Sequence, residues 1–257
     1  MRISVLVKYV PEPNGTPTLG EDHLLVREGV EGALDPGDEY AIEGALRLVE
    51  AAGGEGEVTL VSMGPEVAMA AIRKGLSMGA TSGVLITDPA LRGADALATA
   101  TVLAAALRRR PFDLVLAGVE STDGYTGTMP ATVAELLDLP SATFARSLSV
   151  AEGTLRIERQ TEEGYDVVEC PLPAVATVTG SADEPRYPTL KGIMGAKSKP
   201  VEQFSLADLE IAEGAVAATQ RVTGVTASPE KGSGEVLPAG DEAVERFASL
   251  LDEAKAL

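Results

Sequence analysis

Short apolar runs alternate with helix-length amphipathic segments through the first half of the chain, and this rhythm restricts the fold more than any other feature. Ile3 to Val10 reads as a buried strand. Asp35 then stands as a helix N-cap with Pro36 at the first helical position, and Ile42, Ala45, Leu46 and Val49 recur at the i, i+3, i+4, i+7 spacing of a helix with one buried face. Gly53-Gly54 closes that helix. The pattern repeats as strand Val58 to Met63, helix Pro65 to Met78, strand Val84 to Thr87, helix Ala94 to Arg109, strand Phe112 to Ala117 and a helix ending near Leu137. Such alternation predicts an α/β fold in three layers, a parallel sheet covered on both faces.

From Ser141 the rhythm changes. Thr143 to Val150, Thr154 to Gln160, Tyr165 to Cys170 and Ala174 to Thr179 are strand-like, with turn signals at Glu152-Gly153 and Glu163-Gly164, which predicts a β-hairpin extension on the α/β unit. Residues 201–257 carry eleven acids and four bases, a loop-rich stretch Ser228 to Gly234 and an amphipathic helix from about Asp241. The expected division is an α/β domain over 1–200 and a C-terminal arm over 201–257 that packs on a partner subunit or is partly mobile.

Charge and side-chain inventory remove whole classes of function. A formal charge of -18 speaks against binding a phosphate backbone, so no nucleic-acid partner is expected. One cysteine, Cys170, in an apolar strand, reads as a structural thiol, and one histidine, His23, lies in a polar loop; together they exclude a disulfide, a cysteine metal cluster and most hydrolytic triads. No apolar run is long enough to span a bilayer, and the N-terminus lacks the pattern of a secretory signal, which points to a cytoplasmic protein. The chain thus lacks an obvious redox or hydrolytic centre of its own, and if it takes part in catalysis a cofactor carries the chemistry.

One segment departs from the acidic background. Residues 184–200 hold Arg186, Lys191, Lys197 and Lys199 against a single acid, Glu184, a net of +3. Their apolar residues Tyr187, Leu190, Ile193 and Met194 sit between Pro188, Gly192 and Gly195, which excludes a long regular helix and predicts an ordered loop. Two readings stand side by side: a docking loop with Leu190 as its anchor, or a surface loop whose apolar residues fold back on the body.

Ligands of open parallel sheets bind beyond the carboxyl ends of the strands. Four segments fall there: the turn after Val7-Lys8, the helix start Asp35-Pro36-Gly37-Asp38, Ser62-Met63-Gly64-Pro65, and the loop Gly118 to Thr128. In the last, Gly118, Gly124 and Gly127 permit close backbone approach, and Ser121, Thr122, Thr126 and Thr128 offer hydroxyls to a phosphate ahead of a helix N-terminus. An ordinary strand-to-helix loop is equally rich in Gly, Ser and Thr, and neither a GxGxxG nor a P-loop motif is present.

The run Glu184-Pro-Arg-Tyr through Leu190, Ile193-Met194, Ala196-Lys197 and Lys199-Pro200 resembles the signature of electron-transfer flavoprotein beta subunits. Matches in the same order include Asp35-Pro36, Asp38 to Glu43, Ser62 to Pro65, Met78-Gly79-Ala80, Asp113 to Gly118 and Leu172 to Val175, so the resemblance covers residues 1–200. It implies a three-layer, adenine nucleotide alpha-hydrolase-like unit in a heterodimer with an alpha subunit that holds most of the redox FAD. It also implies a nucleotide site on this chain, filled by AMP in the simple carriers and by a second FAD in electron-bifurcating members. Carried over, the adenine-facing residues are Leu6, Asp35, Pro36, Gly37, Asp38 and Met63, with Lys8 beside them. The phosphate cradle is Gly118, Glu120, Ser121, Thr122, Asp123, Gly124, Tyr125, Thr126, Gly127 and Thr128. Partner recognition falls to Arg186, Tyr187, Leu190, Ile193, Met194, Lys197 and Lys199. Two departures, Gly37 where the family often has a bulky residue and Met129-Pro130 where it has Gln-x-Gly, leave AMP against FAD open. The implied activity is electron transfer from flavoprotein dehydrogenases, such as the acyl-CoA dehydrogenases of fatty acid oxidation, to a quinone oxidoreductase, with no insertion of this chain into the membrane. The alternative of another class is a universal-stress-type nucleotide sensor, which leaves the 184–200 segment unexplained.

Overall fold

Strand β1 (Arg2–Leu6) leads into a small ribbon of β2 (Tyr9–Pro11) antiparallel to β3 (Gly32–Leu34). Helix α1 (Pro36–Ala51), β4 (Glu57–Met63), α2 (Met69–Met78), β5 (Ser82–Ile86), α3 (Ala96–Arg108), β6 (Leu114–Gly118) and α4 (Met129–Leu137) follow. The second half contributes β7 (Ser141–Ala151), β8 (Thr154–Gln160), β9 (Tyr165–Pro171), β10 (Ala174–Val178), α5 (Leu190–Ala196), β11 (Val201–Phe204) and α6 (Asp241–Glu253). These come from a computed structural model that describes residues 1–12, 15–226, 228–229, 234 and 236–255.

The large sheet has nine strands in the order β11-β5-β4-β1-β6-β10-β7-β8-β9, parallel except where β8 pairs with β7 and β9. Period-two alternation sends Ile3 and Val5 to the face covered by α1 and α2, and Leu6, Val61 and Val84 to the face covered by α3 and α4. Two hydrophobic cores thus sandwich the sheet, and the fold is the expected three-layer α/β unit.

Two expectations change. Ala174 to Val178 belongs to no hairpin: it returns to the interior of the sheet between β6 and β7, parallel to both. All five of its residues are buried, Thr177 included, as suits a central parallel strand rather than a half-exposed meander. The sheet also continues past Pro200. Strand β11 runs parallel to β5, and Leu206, Leu209 and Val216 are buried in the second core. Beyond them, the backbone N–H and hydroxyl of Thr219 donate to Asp95, the N-cap of α3, at 2.6 and 2.8 Å. The first compact unit therefore reaches Val222 rather than residue 200.

Residues 223–257 form a second unit containing α6, where Val244, Phe247, Ala248 and Leu251 share one face at helical spacing. Of the Ser228 to Gly234 stretch, residues 230–233 lie outside the described residues. Among the described residues, no helix is long and apolar enough to cross a membrane, and no group of His, Cys, Asp and Glu is placed to hold a metal ion.

Candidate functional site

Three of the four segments at the carboxyl ends of the strands are tied together by side chains. The chain leaves the sheet at Lys8, whose backbone N–H donates to Asp38 at 2.7 Å and whose carbonyl accepts from the Asp35 N–H at 3.0 Å. The first turn of α1 is thereby fastened to the end of β1. Asp35 is fully buried and works in two directions. One oxygen caps α1 by accepting from Gly37 N–H at 2.9 Å; the other accepts from the Thr122 N–H and hydroxyl at 2.7 and 2.8 Å. The helix start and the loop after β6 are one construction.

Gly118 shows how closely they meet. A Cβ there would lie 3.1 Å from both the Asp38 carboxylate and the Gly37 backbone, a tight contact that a larger residue would relieve only if the start of α1 gave way by a few tenths of an ångström. Beyond it, the N–H groups of Gly124 and Tyr125 both donate to the Ser121 carbonyl at 3.3 and 2.9 Å, closing a tight turn. Tyr125 and Gly127 take left-handed conformations, and α4 then begins with Pro130 in its first turn. The departure at Met129-Pro130 is thus a helix start of ordinary chemistry.

Charge is concentrated at this turn. The Lys8 ammonium lies 2.6 Å from Asp123 and 3.2 Å from the Ser121 hydroxyl, while Arg27 pairs with the other Asp123 oxygen. Burial alone would raise Asp123, but Lys8 and Arg27 outweigh it and hold its carboxyl below the ordinary range. Two cations share one acid, so the trio keeps a positive charge beside the loop. Arg27 was not among the sequence candidates. Its signal was faint but present, as the single base between Lys8 and Arg47 in an otherwise acidic stretch.

Asp38 is the opposite case. Burial, with Asp35 close by, pushes its carboxyl well above the usual range, against N–H donors from Lys8 and Gly118. A raised acid stabilises the fold least where it must be ionised: its cost is absent below the unfolded value of about 4 and grows as pH climbs toward the folded value. Asp38→Asn is therefore expected to gain thermal stability relative to the native chain as pH rises from 4 to 7.5. A difference in melting temperature that stays constant across that range would show that Asp38 carries no such cost.

Other sequence candidates lie elsewhere. Leu6 is 3% exposed in the second core, so its side chain packs rather than lines an open site. Met63 is half-buried against the same core, while Pro36, Glu120 and Thr126 to Thr128 are exposed at the rim. Ser62, one residue before Met63, has a buried hydroxyl with no hydrogen-bond partner among the described residues. A separate open hollow of about 480 Å³ lies beside Phe144, Gln160 and Gly180, and its lining holds no cation.

The 184–200 segment forms a second feature. Instead of a loop it contains the short helix α5, capped by Thr189, whose hydroxyl accepts from Gly192 N–H at 3.0 Å. Tyr187, Leu190 and Met194 are 89, 75 and 72% exposed, and Ile193 is half-exposed. The reading in which these residues fold back on the body fails. Two of the bases turn inward, however. The Lys199 ammonium donates to the carbonyls of Leu76 and Ala80 at 2.9 and 2.6 Å, satisfying the end of α2, and burial lowers its pKa. Arg186 is bound to Glu43 and Glu50 of α1. Lys191 and Lys197 remain as the exposed cations of the segment.

The profile of the electron transfer flavoprotein domain matches residues 22–209, which takes in the loop after β6 and the whole 184–200 segment. The chain belongs to this family. It is 36% identical over 255 residues to the electron transfer flavoprotein subunit beta of Thermoanaerobacterium thermosaccharolyticum, covering 99% of this chain and 95% of the relative. It is 42% identical over 241 residues to the protein of the same name from Mycobacterium tuberculosis, with 91% of each chain covered. A third relative, the Caffeyl-CoA reductase-Etf complex subunit CarD of Acetobacterium woodii, is 34% identical over 92% of both chains. Similarity to electron transfer flavoprotein beta subunits thus runs from end to end and includes the second unit.

Proposed function

We propose that this chain is the beta subunit of a heterodimeric electron transfer flavoprotein. The observation that carries the reading is the coincidence of full-length likeness to beta subunits with an exposed apolar set on α5, presented from an anchored segment of an otherwise acidic protein. FAD, held mainly by the alpha subunit, supplies the electron chemistry. This chain supplies geometry, a nucleotide site and a docking face.

The nucleotide in our reading is AMP. Two features support a phosphate at the loop after β6: Gly124 puts no side chain between its backbone and the Lys8 ammonium, and the Lys8–Arg27–Asp123 trio keeps a net positive charge. Residues Gly118 to Thr128, with Lys8 and Arg27, would hold the phosphate, and the segments at Asp35 to Asp38 and Met63 would face the base. A second FAD at the same place is the alternative. The amphipathic α6 and its connecting segment serve as an arm that lays the Val244–Phe247–Leu251 face on the alpha subunit. Flavoprotein dehydrogenases, acyl-CoA dehydrogenases among them, dock at α5 and deliver electrons that leave through a quinone oxidoreductase.

The test is to produce the chain with its alpha subunit and mix the complex with an acyl-CoA dehydrogenase and its substrate. Catalytic bleaching of the bound flavin is expected. A flavin that stays oxidised with every flavoprotein dehydrogenase offered, while the complex is intact, refutes the carrier reading.

A further inference from the structure

Among the described residues, the deepest carboxylate outside the nucleotide segments is Glu43, on the second turn of α1, with its side chain 1% exposed. Its role is visible in what it holds. Arg186 donates to Glu43 through Nε at 2.8 Å, through its second guanidinium arm at 3.1 Å and through its backbone N–H at 3.1 Å, while its remaining arm reaches Glu50 at 2.6 Å. Forked bonds of this kind fix the plane of a guanidinium as well as its position. Arg186 immediately precedes Tyr187, and Leu190 opens the helix three residues later. At the other end, Arg73 of α2 donates to the carbonyls of Ala196 and Lys199 at 2.7 and 2.8 Å. Between these clamps Gly192 lies against α2 so closely that a Cβ would meet the Ser77 carbonyl at 2.4 Å.

We propose that Glu43 is a positioning residue for partner capture: through Arg186 it sets the angle at which Tyr187, Leu190 and Met194 are presented. The inference rests on the docking role given to α5 above. A segment of this length with two interior glycines pays heavily in entropy if it must be ordered on each encounter. Clamping it beforehand removes that cost. Burial would raise Glu43, and Arg186 with Arg47 outweighs it and keeps the carboxyl below its ordinary range, so the clamp is ionised throughout the physiological span.

The experiment uses the flavin-loaded heterodimer and follows its reduction by an acyl-CoA dehydrogenase over a range of carrier concentrations. Glu43→Gln is expected to raise the half-saturating concentration about fivefold, as the loss of an ordered side chain or two would. The maximal rate and the flavin spectrum should hold. Amide hydrogen exchange should quicken across residues 187–196 and stay slow in α1. In a double-mutant cycle, adding Glu43→Gln to Leu190→Ala should cost less than it does in the native background, because Glu43 acts in part through Leu190. Should Glu43→Gln fold poorly, Arg186→Lys gives up the forked bonds from the more exposed side of the pair and is read the same way. Native half-saturation for the clamp variants beside a raised value for Leu190→Ala overturns the positioning role and leaves the docking role standing. Additive effects overturn it too. A silent Leu190→Ala overturns the docking role, and this inference with it.

Discussion

In the assembled heterodimer, Leu190→Ala is expected to raise the carrier concentration needed for half-maximal reduction by an acyl-CoA dehydrogenase at least about tenfold, since truncating a central anchor costs on the order of 2 kcal/mol. Leu190 stands between Tyr187 and Met194 with three-quarters of its surface exposed, on a segment clamped at both ends. An apolar side chain held in water by its own fold does nothing for the stability of the subunit, so flavin content and heterodimer assembly should be unchanged. Lys197→Glu should act more weakly and fade with added salt, as an exposed rim charge does. Lys199→Glu should behave differently: it removes a donor to the end of α2 and is expected to lower thermal stability. Unchanged kinetics for Leu190→Ala with intact flavin would make the residue ordinary surface.

Asp35→Ala carries the largest expected loss of stability. The substitution removes a helix cap, typically worth about 1 kcal/mol, and two bonds from Thr122 to a buried carboxylate. Together these predict a loss on the order of 3 kcal/mol, or roughly 6–12 °C in melting temperature. Nucleotide content should fall with it, because Asp35 ties the start of α1 to Thr122 of the loop after β6. Asp35→Asn separates the two effects. Its carbonyl oxygen can still cap Gly37, but its amide would confront the Thr122 N–H with a donor. That variant should keep more of the stability and still lose nucleotide. A melting temperature within a degree or two of the native value for Asp35→Ala would show that the bridge contributes nothing.

The first half of the fold was legible because parallel strands and their covering helices leave two periodicities in the residues themselves. Asp35-Pro36, Ile42, Ala45 and Leu46 announce α1 without help from tertiary structure. Strand β11 was hidden because Val-Glu-Gln-Phe lies on the sheet edge, half-exposed, inside an acidic stretch that reads as tail. Strand β10 was recognised as a strand and misplaced: its mostly apolar run, without the alternation of a half-exposed strand, was a sign of the sheet interior, but the turn signals before it suggested one more arm of a meander. The glycine- and hydroxyl-rich loop was visible as composition, yet Arg27, which completes its charge, sits 96 residues from Asp123 in sequence. Charges were the least legible. Arg186 and Lys199 read as an exposed basic island, and only the packing of the 184–200 segment against α1 and α2 shows that their partners are a buried Glu43 and the carbonyls ending a helix. A sequence shows which residues carry charge but not which of them are already paired.

The measurement that bears most directly on the proposed role is the identity and amount of the nucleotides released when the purified chain, alone and with its alpha subunit, is denatured. One FAD and one AMP per heterodimer, with no stoichiometric FAD on the chain alone, is the expected result. Two FAD per heterodimer and no AMP would move the protein to the bifurcating alternative. A solitary chain that forms no complex and releases no adenine nucleotide would contradict both.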